Sequence, residues 1–149
     1  MNLDILKDQL VSDEGQCLAV YECTQGHKTV GIGHMIRKSD PEYEYKVGDM
    51  ITQERSDHLF AQDLDMTIKD CEHALPTWDY LPEEVQLICA NMMFNLGRSR
   101  FMEFAKFRLA LQNQDWQEAA AQMTDSLWHK QLPNRSGRLI KRMQEIVDG

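Results

Sequence analysis

The sequence predicts an α+β chain that is mainly α, and three observations predict it. Apolar residues recur at steps of three and four through most of the 149 positions, the mark of amphipathic helices. Residues 17–33 switch to β-formers broken by Thr24-Gln25-Gly26, a hairpin turn. Residues 53–75 carry one unbroken helical pattern, long for a chain of this size. The expected architecture is one domain of two lobes: a small β-hairpin lobe at about 13–52 and a helical lobe of 1–12 and 76–149, joined by the 53–75 helix. A cleft between such lobes suits an extended polymer.

Each element has its own warrant. Leu3, Ile5, Leu6, Leu10 and Val11 give the apolar stripe of a helix over 3–12. In the hairpin, Val20, Tyr21, Thr29, Val30 and Ile32 favour strands, and Gly31 and Gly33 imply close backbone approaches in the returning strand. Residues 36–51, with Ser39-Asp40-Pro41 and Gly48, read as a loop with one more short strand. Thr52 caps the long helix, Phe60, Leu64, Ile68, Cys71 and Leu75 form its stripe, and Pro76 stops it. Pro82 starts the next helix, Val85, Ile88, Cys89, Met92 and Met93 are its buried positions, and Gly97 ends it. Three shorter helices follow near 102–112, 115–124 and 136–147.

Composition excludes several classes of function. Hydrophobic residues at 42% and charged residues at 27% are ordinary for an ordered domain. No apolar run approaches the roughly 18 residues of a membrane span, so no stable membrane insertion is expected. The N-terminal segment has no basic region and no small-residue cleavage site, so the protein is expected to stay in the cytoplasm of the cell that makes it until the membrane is permeabilised. Cysteines 17, 23, 71 and 89 form no CxxC pair and the five histidines are scattered. They read as reduced thiols, three of them in the core, with no metal and no cofactor. The net charge is −8, with 18 acids against 7 bases in residues 1–97 and 6 against 9 in residues 98–149. So acidic a chain is a poor partner for nucleic acid. The basic residues Arg135, Arg138, Lys141 and Arg142 mostly read as a solvated helix face.

Glu14 stands where the first helix gives way to the hairpin, between Asp13 and Gly15. A carboxyl partly desolvated at such a place can serve as a proton donor, although most glutamates before a glycine are simply exposed. Its surroundings single it out. Asp13-Glu14-Gly15, Tyr21, Gly26 and Thr29-Val30-Gly31-Ile32-Gly33-His34 resemble the phage-type lysozymes, glycoside hydrolase family 24, whose signature is a Glu, eight residues, an Asp or Cys, five residues and a Thr. Glu14, Cys23 and Thr29 have that spacing. The resemblance continues through Leu59-Phe60-Ala61-Gln62-Asp63, Asn91-Met92-Met93-Phe94-Asn95-Leu96-Gly97, Trp116-Gln117-Glu118-Ala119-Ala120 and Trp128 to Arg135, nearly the whole chain in order.

The resemblance implies a lysozyme-like fold with the active site in the cleft. It implies hydrolysis of the β-1,4 bond between N-acetylmuramic acid and N-acetylglucosamine in peptidoglycan glycan strands. Glu14 would be the general acid, Thr29 and Cys23 would hold water on the far face of the sugar, and the outcome would be inversion. Cys23 stands where many relatives have Asp. A thiol is mostly uncharged at neutral pH unless a cation lowers its pKa, and Glu14 beside it would raise it further. Asn91 and Arg135 match neighbours of the catalytic glutamate, and Met35 and Phe94 match positions facing the saccharide. His34 matches a structural ion-pair partner of Asp63. Also implied are a monomer and a phage endolysin that needs a holin to reach the cell wall. The alternative is a catalytically impaired, peptidoglycan-binding virion component.

Overall fold

Glycines with left-handed backbone mark the corners of the β segment in the computed structural model, which describes residues 1–146. Helix α1 (Leu3–Glu14) opens on Asn2, whose side chain accepts from the amides of Asp4 and Ile5. It closes at Gly15, whose φ of +68° no L side chain adopts readily. The helix therefore reaches two residues beyond the expected 3–12, which puts Glu14 in its last turn. Of its five apolar positions, Leu6 and Leu10 are buried, while Leu3, Ile5 and Val11 are exposed.

The chain forms two compact units, Lys7–Met66 and Met1–Leu6 with Thr67–Gly149, and the divisions fall inside helices. In the first unit, β1 (Cys17–Glu22), β2 (Lys28–Gly31) and β3 (His34–Met35) make an antiparallel sheet in that order. The short strand expected within 36–51 does not form; β3 precedes that loop. Residues 36–51 hold a 3-10 turn (Pro41–Glu44) and one bridge between Ala19 and Met50. Tyr21 pairs with Thr29, and Thr29 with Met35, so these side chains share one face. Val20 and Val30 turn the other way and pack with Ile51 and Leu59 in a small core. Each such side chain is worth about 1.5–3 kcal/mol on burial. The N-terminal part of α2 (Gln53–Ala74) belongs to this unit, and Thr52 caps it by accepting from the Arg55 amide, as expected.

In the second unit, α3 (Glu83–Met102) is buried on nearly all sides from Val85 to Met93, more than the single stripe expected, which makes it the central helix. Gly97, at φ +78°, breaks it where the sequence predicts an end, but one further short helical stretch follows before Glu103. Around it are α4 (Ala105–Gln112), α5 (Trp116–Thr124), α6 (Leu127–Gln131) and α7 (Pro133–Gln144). Helix α6 is missing from the sequence reading. Its signals are Ser126, which accepts from the His129 amide, and Pro133, which starts α7 three residues earlier than predicted. Residue 147, the last of the predicted final helix, lies outside the described residues. Met92, Met93, Met123 and Met143 fill the interior of this unit. Cys71 and Cys89 are buried, but Cys17 and Cys23 are half-buried, so two cysteines and not three are core residues. Among the described residues, no helix is long and apolar enough to cross a membrane.

His34 has 3% of its surface exposed and is held between two carboxylates. Its Nδ1 lies 2.6 Å from Asp63 and its Nε2 2.8 Å from Asp40, which the sequence reading did not pair with it. Burial alone would lower the imidazole pKa, but the hydrogen bonds and charges of Asp63 and Asp40 outweigh it and hold the ring above its ordinary value. Burial raises the Asp40 carboxyl, yet the Arg37 amide and His34 bring it below the usual carboxylate range. The histidine contribution to stability is complete below about pH 6.5 and is lost as pH rises through the folded pKa. The aspartate contribution is complete above about pH 3.9 and is lost as pH falls through the depressed value. The cluster thus stabilises most between these limits. His34→Asn is expected to cost about 2 kcal/mol near pH 5.5, and less near pH 8, in urea unfolding. An NMR titration giving His34 an ordinary pKa would contradict this.

Candidate active site

Helix α1 delivers Glu14, half-buried, to the turn between β2 and β3. A Cβ placed on Gly33 would lie 2.5 Å from Glu14 Oε2, closer than any real side chain tolerates. The carboxyl therefore occupies the space that a residue other than glycine would fill. Gly31, on the other side of Ile32, makes the same kind of approach to Ser56 Oγ, at 3.0 Å. Both close approaches were expected from the glycine spacing.

Cys23 follows β1 and starts the hairpin turn. Its amide donates to the His27 carbonyl, and the Gly26 amide donates back to the Cys23 carbonyl. Burial of the thiol would raise its pKa, but hydrogen bonds from the backbone at Gln25 and His27 and from the Thr29 side chain together carry it below its ordinary value. The sequence reading looked to a cation for this effect and to Glu14 for a rise. The turn's own amides do the work instead, as oriented backbone dipoles around an anion. Thr29, at 5% exposure, also donates to the His27 carbonyl at 3.1 Å. Its hydroxyl has one proton, so donation to the carbonyl and donation to the sulfur are alternatives.

Tyr21, absent from the predicted site, stands directly across from Thr29. Burial first, then the charges of Glu14, Cys17 and Cys23, push its phenol above the usual range. Period-two alternation along a strand would have flagged it, since it lies two residues before Cys23. Met35, next across the sheet from Thr29, is 51% exposed.

In the other unit the structure brings together Asn91 and Arg135. Asn91 is fully buried on α3, and the Arg135 guanidinium on α7 donates to its Oδ1 at 3.0 Å and to its carbonyl at 3.5 Å. Phe94, one turn further along α3, is half-buried. The Trp128 indole donates to Asn95 at 2.7 Å and ties α6 to α3.

The phage lysozyme family model matches residues 11–145. The chain belongs to this family. It is 32% identical over 154 residues to probable T4-type lysozyme 2 of Dictyostelium discoideum, covering 91% of each chain. Probable T4-type lysozyme 1 of the same organism is 32% identical over 155 residues, with 91% of each covered. The pre-baseplate central spike protein Gp5 of Enterobacteria phage T4 is 30% identical over 152 residues, which span 90% of this chain and 26% of that longer protein. As a phage lysozyme, the protein is a glycoside hydrolase with a mainly helical, lysozyme-like α+β fold.

The lysozyme's helical unit also contains a cavity of about 450 Å³ that the sequence reading did not anticipate. Arg100, Glu103, Lys106 and Asp125 line it together with Phe104 and Trp128. Its lining does not include Asn91, Phe94 or Arg135. Arg100 lies on α3 and Lys106 on α4, while Glu103 and Asp125 cap the ends of α3 and α5.

Two outcomes follow from the Glu14 and Cys23 geometry. Gly33→Ala is expected to lose about 1–3 kcal/mol of stability from backbone strain and to lower turnover by displacing Glu14. Gly48→Ala, also left-handed at φ +97° but with nothing within 4 Å of its Cβ, should lose stability with little change in turnover. Equal turnover in the two folded variants would rule out the displacement. Second, in a Cys17→Ser background, iodoacetamide should modify Cys23 with a pH midpoint below that of a free thiol, and Thr29→Val should move the midpoint upward. An unmoved midpoint would remove Thr29 from the thiol's hydrogen bonds.

Proposed function

We propose that this lysozyme hydrolyses the β-1,4 bond between N-acetylmuramic acid and N-acetylglucosamine in peptidoglycan glycan strands, with inversion. The relatives' names support the substrate class, including the peptidoglycan hydrolase gp36 of Pseudomonas phage phiKMV, 25% identical over 128 residues. The observation that supports the site best is the Glu14 carboxyl fixed against Gly33, with the Cys23–Thr29 pair on the same small sheet. Glu14 gives its proton to the glycosidic oxygen as the bond to the anomeric carbon breaks. A water held by the Thr29 hydroxyl and the Cys23 sulfur attacks that carbon from the opposite face, and inversion follows. The Cys23 sulfur, its pKa lowered by the turn's backbone, takes as a thiolate the proton that the water loses. Met35, Phe94, Asn91 and Arg135 are the proposed substrate-binding residues. The reading extends to a monomeric endolysin, held in the host cytoplasm until a holin permeabilises the membrane and then acting at the cell wall.

The Gp5 relative keeps a second reading open, a virion component that binds glycan without turnover. Release of reducing ends from purified peptidoglycan separates the two. Wild type should be active and should yield the α-anomer first by NMR. Glu14→Gln should lose about 10²–10⁴-fold, the worth of a general acid. Binding of glycan by the wild type with no reducing ends released would favour the virion reading. Full activity in Glu14→Gln would take the acid role from this residue.

A further inference from the structure

We infer that His129 is a positioning residue for substrate binding: its imidazole, hydrogen-bonded to Ser136, locks the first turn of α7 and so fixes where Arg135 stands. The inference rests on the proposed role of Arg135 as a substrate-binding residue. Three hydrogen bonds close a circuit through α3, α6 and α7. The Trp128 indole on α6 donates to Asn95 on α3 at 2.7 Å. Beside it on α6, His129 Nδ1 lies 2.5 Å from Ser136 Oγ on α7. Beside Ser136, Arg135 Nε donates to Asn91 Oδ1 at 3.0 Å, and Asn91 stands one helical turn before Asn95 on α3. Each helix thus contributes a pair of neighbouring residues, and each residue serves one side of the circuit.

Ser136 is the closing joint, and its chemistry decides the tautomer of His129. It is fully buried, and its hydroxyl lies 2.7 Å from the Leu132 carbonyl, a group that only accepts. A serine has one hydroxyl proton, and that contact takes it. Toward His129 the same oxygen is therefore an acceptor, and the proton between them belongs to Nδ1. An imidazole carries a proton on Nδ1 both in this neutral tautomer and as the cation, so the link survives titration of the ring. The His129 backbone is fixed as well, since its amide donates at 3.1 Å to Ser126, the N-cap of α6. Leu132, the N-cap of α7, has no polar side-chain atom to offer, so the His129–Ser136 bond steadies that turn in place of a cap. Arg135 reaches Asn91 through a long side chain, and its guanidinium is placed only as well as its backbone is held. Held in advance, it meets the glycan without first losing that freedom, which strengthens binding. His129 therefore acts on KM and not on kcat.

In ¹³C,¹⁵N-labelled wild type, the ring of His129, assigned through its own backbone resonances, should be the Nδ1–H tautomer in alkaline solution. The Nε2–H tautomer would overturn the inference, and that measurement needs no variant to fold. His129→Gln carries its amide out to where Nε2 stands and loses the Ser136 bond, whereas His129→Asn keeps an N–H near the place of Nδ1. On soluble peptidoglycan fragments, His129→Gln should raise KM by about 3- to 10-fold, the worth of one hydrogen bond, with kcat unchanged. His129→Asn should restore KM toward wild type. In an Arg135→Ala background, which itself raises KM, His129→Gln should add nothing. An equal rise in His129→Asn, or a full further rise in the Arg135→Ala background, would show a merely structural role and overturn the inference. If Arg135→Ala raises KM while folded His129→Gln does not, the inference fails and the Arg135 reading stands. If Arg135→Ala leaves KM unchanged, the Arg135 reading itself fails and takes the inference with it.

Discussion

A carboxyl oxygen lodged where a Cβ would otherwise be is the constraint from which the sheet unit's geometry follows. Glu14 can lie against the β2–β3 turn because Gly33 presents bare backbone there, in a left-handed conformation that other residues resist. The opposite side of that turn is held in the same manner. Ser56, fully buried on α2, closes on Gly31 and accepts a hydrogen bond from the Gln16 side chain at 3.1 Å. A turn gripped from α1 and α2 leaves β2 little freedom of register, and the Tyr21–Thr29–Met35 row inherits that precision. Below it, His34 joins the end of the hairpin to Asp63 on α2 and to Asp40 in the following loop. The acid is thus set by packing of backbone, and the strand that carries its partners is set by a buried charge cluster.

Electrostatics around Cys23 show how a site can do without a cation. Backbone amides at Gln25 and His27 and the Thr29 hydroxyl offset the cost of burying the thiol. The amide dipoles are fixed when the hairpin closes, so they need no reorganisation when charge develops. In the core the balance is reversed. Burial alone drives Cys89 far above its usual range, and burial aided by Cys89, Asp70 and Glu72 does the same to Cys71. Burial thus pushes Cys71 and Cys89 up, while at Cys23 the facing backbone outweighs burial and brings the thiol down.

Much of this was legible in the sequence where one local rule acts alone. Thr52, Gly97 and the glycine pair at 31 and 33 each do what their residue type requires. The spacing of Glu14, Cys23 and Thr29 needed the family resemblance, since a glutamate before a glycine carries little meaning by itself. Features that depend on several elements at once stayed hidden. Asp40 reaches His34 across a loop, Tyr21 faces Thr29 through strand register, and the Arg100–Lys106 cavity is lined by several consecutive elements between residues 96 and 131. Helix α6 went unseen because five residues are too few for a periodic pattern, and Leu127 at their start is exposed.

The interior of the helical unit is filled to a large extent by thioethers, with Met92, Met93, Met123 and Met143 all buried around the central helix. Unbranched and polarizable, these side chains adapt to changes in the volume beside them more readily than leucine or valine. Neighbouring core positions can then accept larger or smaller residues with modest loss of packing, since the gap or the crowding is shared among several flexible chains. In evolutionary terms such a core is a buffer. It lets the helical core vary in sequence, while at Gly33 the left-handed backbone and the Glu14 carboxyl beside it favour glycine.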